Sequence, residues 1–285
     1  MNVEYKLSGK SGNIFFVGLL LGPIFIALLA IIYAYIDVYN PLVYFTLIVF
    51  LGLLIGIILI QKIVIKLSKC RSKTSALIYG TIVGLFGVYL NWCTFLFVFY
   101  RYHDLPVEFL DLMLNPDSVF EIANSLSIDG YYSMFGSEIK GFFLWLIWII
   151  EAVGIIGAGA LGGLTVLHEE IFCEDCNRWA EKKDFNLRLA IEDQVSAKTA
   201  IDSEVTKILE YPIYVGAHSE HIQVNLHQCS KCQNTSTIDI DLITYEENDK
   251  GEIKEKSEDF SKVFLLNRTE FGKFIAKKTN LETLI

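Results

Sequence analysis

FFLWLIWIIEAVGIIGAGALGGLTVLHEEIFCEDC, residues 142–176, carries both halves of the fold in one stretch. From Phe142 to Leu167 its single charged residue is Glu151, and the run exceeds the about 20 helical residues that a bilayer crossing needs. Beyond Leu167 come His168, Glu169 and Glu170, then Cys173-x-x-Cys176. A polar, cysteine-bearing segment therefore starts where a membrane segment stops.

Towards the N-terminus, three further apolar runs have the same character: Asn13 to Ile36, Leu42 to Ile65 and Ala76 to Tyr100. The reading is four transmembrane helices, 13–36, 42–65, 76–100 and 142–167, within a membrane domain 1–167. Lys6 and Lys10 precede the first run, but it is much longer than the roughly 7 to 15 apolar residues of a signal peptide, so it is expected to be retained. Across its 285 residues the chain is 53% hydrophobic and 20% charged, with a mean hydropathy of +0.42. Those values argue against intrinsic disorder and against a wholly soluble enzyme.

Orientation follows from the basic residues of the short loops. Residues 61–75 carry Lys62, Lys66, Lys69, Arg71 and Lys73, whereas the turn from Asp37 to Pro41 carries none. The basic loop is placed in the cytoplasm and both termini with it; the reading is a plasma (inner) membrane protein, N-in and C-in. Loop 101–141 then lies outside, and it is acidic, with Asp104, Glu108, Asp111, Asp117, Glu121, Asp129 and Glu138 against Arg101 and Lys140. Within it, Asn115-Pro116-Asp117 is a helix-start signal ahead of Val119, Phe120, Ile122, Ala123 and Leu126.

Each span has a Gly-x-x-x-Gly pair: Gly18/Gly22, Gly52/Gly56, Gly80/Gly84 and Gly159/Gly163. Such pairs let helix backbones approach closely. Those of the first, third and fourth spans fall at nearly one depth, which predicts a tight seam there. Glu151 is the one acid that this reading puts inside a span, and a charge at mid-bilayer costs at least about 2.5 kcal/mol. Asn91 sits at equal depth in the third span. Either the two share a hydrogen bond, or Glu151 belongs to a proton or cation site that Thr94 and Tyr89 join. Gly157-x-Gly159-x-x-Gly162 imitates a dinucleotide-binding fingerprint, but it lies inside the apolar run with no strand before it, so the nucleotide reading is refused.

Residues 168–285 form a polar C-terminal domain with 15 Lys plus Arg against 23 Asp plus Glu. That acidity disfavours nucleic acid, where affinity comes from neutralising phosphate, and points to a protein partner. Cys173-x-x-Cys176 and Cys229-x-x-Cys232 each offer two corners of a tetrahedral zinc site. Ile222, Val224 and Leu226 alternate before the second pair, and Ile238, Ile240 and Leu242 alternate after it. Phe185, Leu187, Leu189 and Ile191 alternate after the first. With its four cysteines feeding strands, the module resembles zinc ribbons, which implies a structural zinc on Cys173, Cys176, Cys229 and Cys232. The 52 residues between the pairs exceed the about 15 to 20 of a compact ribbon, so an insertion is required. Ala197 to Glu210 supplies one, with helical spacing. A hairpin is expected at Asn248 to Gly251 and a final helix after Asn267. His218, His221 and His227 are alternative ligands or strand residues, and Cys70 and Cys93 have no companions.

The fold class is thus an α-helical membrane protein carrying a C-terminal α+β zinc-ribbon-like cytoplasmic domain. No nucleophile and base stand together, and four thiolates leave zinc no open position, so no enzyme is expected. The reading is a membrane-anchored zinc protein that presents an acidic module to a cytoplasmic partner for interaction, assembly or signalling. The alternative is an oligomeric channel, pore-forming effector or small transporter with Glu151 in the path and the zinc domain as regulator. The glycine faces leave a homo-oligomer open.

Overall fold

A computed structural model describes residues 2–40, 43–134, 137–183, 185, 187–216, 219–248 and 251–282. The chain divides into two compact units, Ser8–Glu169 and the pair of segments Met1–Leu7 and Glu170–Ile285.

In the first unit, α1 (Ile14–Tyr39), α2 (Val43–Ser68), α3 (Lys73–Tyr102) and α6 (Phe142–Glu169) close into a ring. Helix α1 packs on α2 and α3, and α6 packs on the same two. All four are long and apolar enough to cross a membrane. Their outward faces stay apolar, with Phe16, Leu47, Ile48, Phe143 and Val153 exposed, as a surface facing hydrocarbon requires. The helices run somewhat beyond the predicted spans, and the extension of α1 to Tyr39 takes in Asp37. Between α3 and α6 lie α4 (Phe109–Leu114), α5 (Pro116–Asp129) and the short hairpin β2 (Tyr132–Met134) and β3 (Ser137–Ile139). Helix α5 starts at the expected Asn115-Pro116 signal and buries Val119 and Ala123, but Phe120 faces outward.

The glycine seam forms between α3 and α6. A Cβ at Gly80 would fall on the Gly159 carbonyl oxygen, one at Gly159 would lie 2.6 Å from the Gly80 carbonyl oxygen, and one at Gly84 would lie 2.8 Å from Ile156 Cα. Here the backbones themselves touch. Gly18 and Gly22 of α1 act differently: they make room for the Tyr79 ring, whose hydroxyl donates to the Gly18 carbonyl at 3.0 Å. Gly56 receives Leu29 of α1, while Gly52 and Gly157 face open space. The Gly157-x-Gly159-x-x-Gly162 segment is helical throughout.

The second unit is built on one antiparallel sheet. Its central strands are β8 (His221–Gln228) and β9 (Ser236–Glu247), paired along their length from His221↔Ile243 to Gln228↔Ser236. Strands β6 (Glu181–Lys182) and β7 (Leu187–Ala190) line the free edge of β8. Strands β10 (Ile253–Asp259) and β11 (Phe264–Leu266) share the other edge of β9. The alternation read from sequence is the core face: Leu187, Leu189, Ile222, Val224, Leu226, Ile238 and Ile240 are all fully buried. Against it pack α7 (Gln194–Ser203), a 3-10 turn (Val205–Glu210) and α8 (Arg268–Glu282), through Ala197, Ile201, Ile208 and Phe274. The insertion predicted over 197–210 is therefore two pieces, broken at Glu204, whose backbone is extended.

Helix ends are set by side chains. Asp193 Oδ2 accepts from the Ser196 N–H at 2.7 Å to cap α7. Asn267 and Glu270 exchange side-chain-to-backbone bonds, both 2.9 Å, forming a reciprocal cap on α8. Of the hairpin expected at Asn248 to Gly251, Asn248 and Gly251 are joined by a 2.9 Å backbone bond, and Asp249 and Lys250 lie outside the described residues.

The two units meet between Glu169 and Glu170. Residues 1–7 group with the sheet, because β1 (Val3–Glu4) pairs with β11 through Val3↔Leu265 and Glu4↔Phe264. Asn2 adds side-chain bonds to the Ile201 carbonyl and the Val205 N–H. Two residues of strand carry no readable periodicity, so composition alone placed them with the helices.

Candidate metal centre

The first cysteine pair spans the turn between β4 (Phe172–Cys173) and β5 (Arg178–Trp179), and the second spans the turn between β8 and β9. Both turns need a left-handed residue directly after their second cysteine, and they have one: Asn177 at φ 51° and Gln233 at φ 57°. Each closes by a backbone bond, from Asn177 N–H to the Glu174 carbonyl at 3.3 Å and from Gln233 N–H to the Cys229 carbonyl at 3.1 Å. The first knuckle is pinned from the far end of the chain. Tyr5 Oη accepts from the Phe172 N–H at 2.8 Å, and the Phe172 ring meets Trp179 edge-on at 5.0 Å.

These turns bring the four cysteines together, with all four sulfurs within 4.8 Å of one another. Cys173 and Cys229 are buried, and Cys176 and Cys232 are partly exposed. The Sγ–Sγ distance from Cys173 to Cys232 is 3.6 Å. That is far from a disulfide, and close to the about 3.8 Å edge of a tetrahedron whose metal–sulfur bonds are about 2.3 Å. Donors already face the sulfurs: the Thr235 hydroxyl donates to Cys173 at 3.2 Å and the Asn234 N–H to Cys232 at 3.4 Å. The Asn234 N–H holds the Cys232 thiol down, to about 6, while the Cys232 contact pushes Cys176 up, to about 12. Sulfurs this close cannot all ionise against their mutual repulsion, and a divalent cation among them removes that obstacle. The donor set and its dimensions fit a metal.

The histidines stand elsewhere. His227 Nε2 is 3.1 Å from Asp239 Oδ1, and His221 Nδ1 is 3.0 Å from the Ser219 carbonyl. His218 lies outside the described residues. Cys70 and Cys93 are buried in the helical unit, apart from the cluster.

In the membrane-type bundle, the expected Glu151 to Asn91 bond is replaced by another. Tyr33 of α1 donates to Glu151 Oε1 at 3.1 Å, and Asn91 Oδ1 is buried without a hydrogen bond. Equal depth fixes height along a helix but not direction around it. Gly154 and Gly162, on the Glu151 side of α6, pack on Phe50 and Gln61 of α2, whereas Ile156 and Gly159 meet α3. Sequence reasoning also missed Asp37, 6% exposed, whose Oδ2 accepts from the Tyr132 hydroxyl at 3.3 Å. A signal was present: Tyr33 and Asp37 are four residues apart and so share one helix face.

The fold and site define an apolar four-helix unit joined to an antiparallel sheet with a four-cysteine centre. No family model, curated protein or solved structure matches the chain.

Proposed function

We propose that the protein is a membrane-anchored zinc protein, in which the helical unit holds an acidic cytoplasmic module for a protein partner in assembly or signalling. The convergence of Cys173, Cys176, Cys229 and Cys232, sulfurs within 4.8 Å, carries this reading. An all-sulfur tetrahedral set suits zinc in a structural role, with no position left for substrate. Zinc would supply fold stability by tying the β4–β5 turn to the β8–β9 turn, and Arg178 and Ser230, 3.4 Å apart, reinforce that tie.

The sheet also supports the topology. Segments 1–7 and 170–285 form one unit, so they belong to one compartment, and the chain between them must cross a membrane an even number of times. Four crossings satisfy that, and the lysines and arginine of 61–75 favour the cytoplasm for the shared compartment.

Metal content of the detergent-purified full chain tests the proposal. About one zinc per chain is expected, lost together with protection of the sheet in Cys173→Ser while the helices still insert. Iron in place of zinc, or an intact, protease-resistant sheet in Cys173→Ser, would overturn it.

A further inference from the structure

At the end of the bundle where α1 and α3 finish, a cavity of about 580 Å³ is lined by groups from α1, α2, α3 and the segment after α5. Asp37 lies in its wall, 6% exposed, with Oδ2 bonded to Tyr132 and Oδ1 accepting no hydrogen bond. Around it runs a chain of rings in edge-to-face contact: Tyr132 to Tyr131 at 4.6 Å, Tyr131 to Phe99 at 5.6 Å, Phe99 to His103 at 4.6 Å, and His103 to Tyr102 at 5.2 Å. The described lining residues include no lysine or arginine and one carboxylate.

We propose that this cavity binds a small organic ammonium ion, its charged head against Asp37 and its carbon substituents against the aromatic wall. A largely buried carboxylate is costly to keep charged, and a cation in the cavity beside it offsets that cost. Aromatic faces attract the same cation through their quadrupole and repel anions. Size separates the candidates. A bare metal cation fills only a small part of such a space, whereas the volume falls in the about 300 to 1,000 Å³ range of small-molecule pockets. Burial, then the carboxylates of Asp37 and Glu151, holds the Tyr132 phenol well above its ordinary value, so it remains a donor that fixes the Asp37 carboxyl. The site lies within the helical unit and does not rest on the metal reading.

Choline and ethylamine are the probes, titrated calorimetrically into the full chain in detergent. Saturable binding is expected, weakened at least about tenfold in Asp37→Asn, and about fivefold in Tyr102→Ala. Tyr102 is 51% exposed, so its variant tests the wall without threatening the fold. No binding by about 10 mM overturns the proposal, as does equal affinity in both variants, or displacement of the probes by equimolar sodium or potassium. The ammonium head can come from a free compound or from a lipid headgroup, and nanodiscs separate the two. Choline binding suppressed in phosphatidylethanolamine discs but retained in phosphatidylglycerol discs assigns the head to lipid; equal binding in both assigns it to a free ligand.

Discussion

Asn177 and Gln233 occupy the same station in two separate turns, each directly after a cysteine and each left-handed, at φ 51° and 57°. An L-residue pays about 1 to 2 kcal/mol for that backbone, Asn less than most. Gln233→Gly is therefore expected to strengthen the second knuckle by about 0.5 kcal/mol, part of the relief being offset by a looser unfolded chain. Gln233→Val, with a branched side chain, is expected to weaken it. Metal retention against a competing chelator measures both, and wild-type retention in the valine variant would show that the turn geometry is dispensable.

Where α3 and α6 touch through Gly80 and Gly159, any added side chain must push two backbones apart. Gly159→Leu is expected to cost about 1 to 3 kcal/mol or more, as overpacking does. Gly157 faces open space on the same helix, so Gly157→Ala is expected to be neutral or slightly stabilising. Thermal melting in detergent ranks the pair, and equal effects would refute the seam.

Tyr33 gives Glu151 its hydrogen bond, and Tyr33→Phe is expected to cost about 1 to 3 kcal/mol by leaving that carboxyl without it. Glu151→Gln keeps a group able to pair with the phenol and is expected to be mild. The two changes are expected to be non-additive in a double-mutant cycle. If Glu151 were instead part of an ion path, Glu151→Gln would alter flux in reconstituted vesicles, where no change is expected.

Asp193 caps α7, and the bond from the Ser196 N–H holds the Asp193 carboxyl below the usual range. A depressed folded value means that its stabilisation is complete above the ordinary carboxylate range and is lost as pH falls through the lower folded value. Protection of the Ser196 amide, its exchange measured against a free amide at the same pH, is therefore expected to fall in acid in the wild type. Asn is an equally good cap without a titration, so Asp193→Asn is expected to keep that protection across the same range. Parallel acid curves for the two proteins would assign the loss to other groups.

Much of this architecture was legible because burial imposes a period. The four apolar spans, the alternation of Ile222, Val224 and Leu226, and the helical spacing of Ala197 and Ile201 each express one buried face. The paired cysteines were legible because their chemistry is local. What sequence could not express was direction around a helix, which decides that Glu151 meets Tyr33 and not Asn91. Nor could it separate a loop acid from a buried one: Asp37 sits beside Tyr39 and Asn40 in a stretch of turn-like composition, and only the extra turn of α1 carries it inside. The aromatic cavity was out of reach for the same reason, since its rings come from two segments with no shared motif.

The pairing of Val3 and Glu4 with Leu265 and Phe264 has a consequence for biosynthesis. Strand β1 is made before the four long apolar helices, and its partner β11 is made after them. Val3 and Glu4 therefore have no strand partner while those helices are made, and β1 pairs only once β11 follows. A nascent chain stalled after Cys232 would already hold all four cysteines but would still lack β11, the strand on which β1 closes.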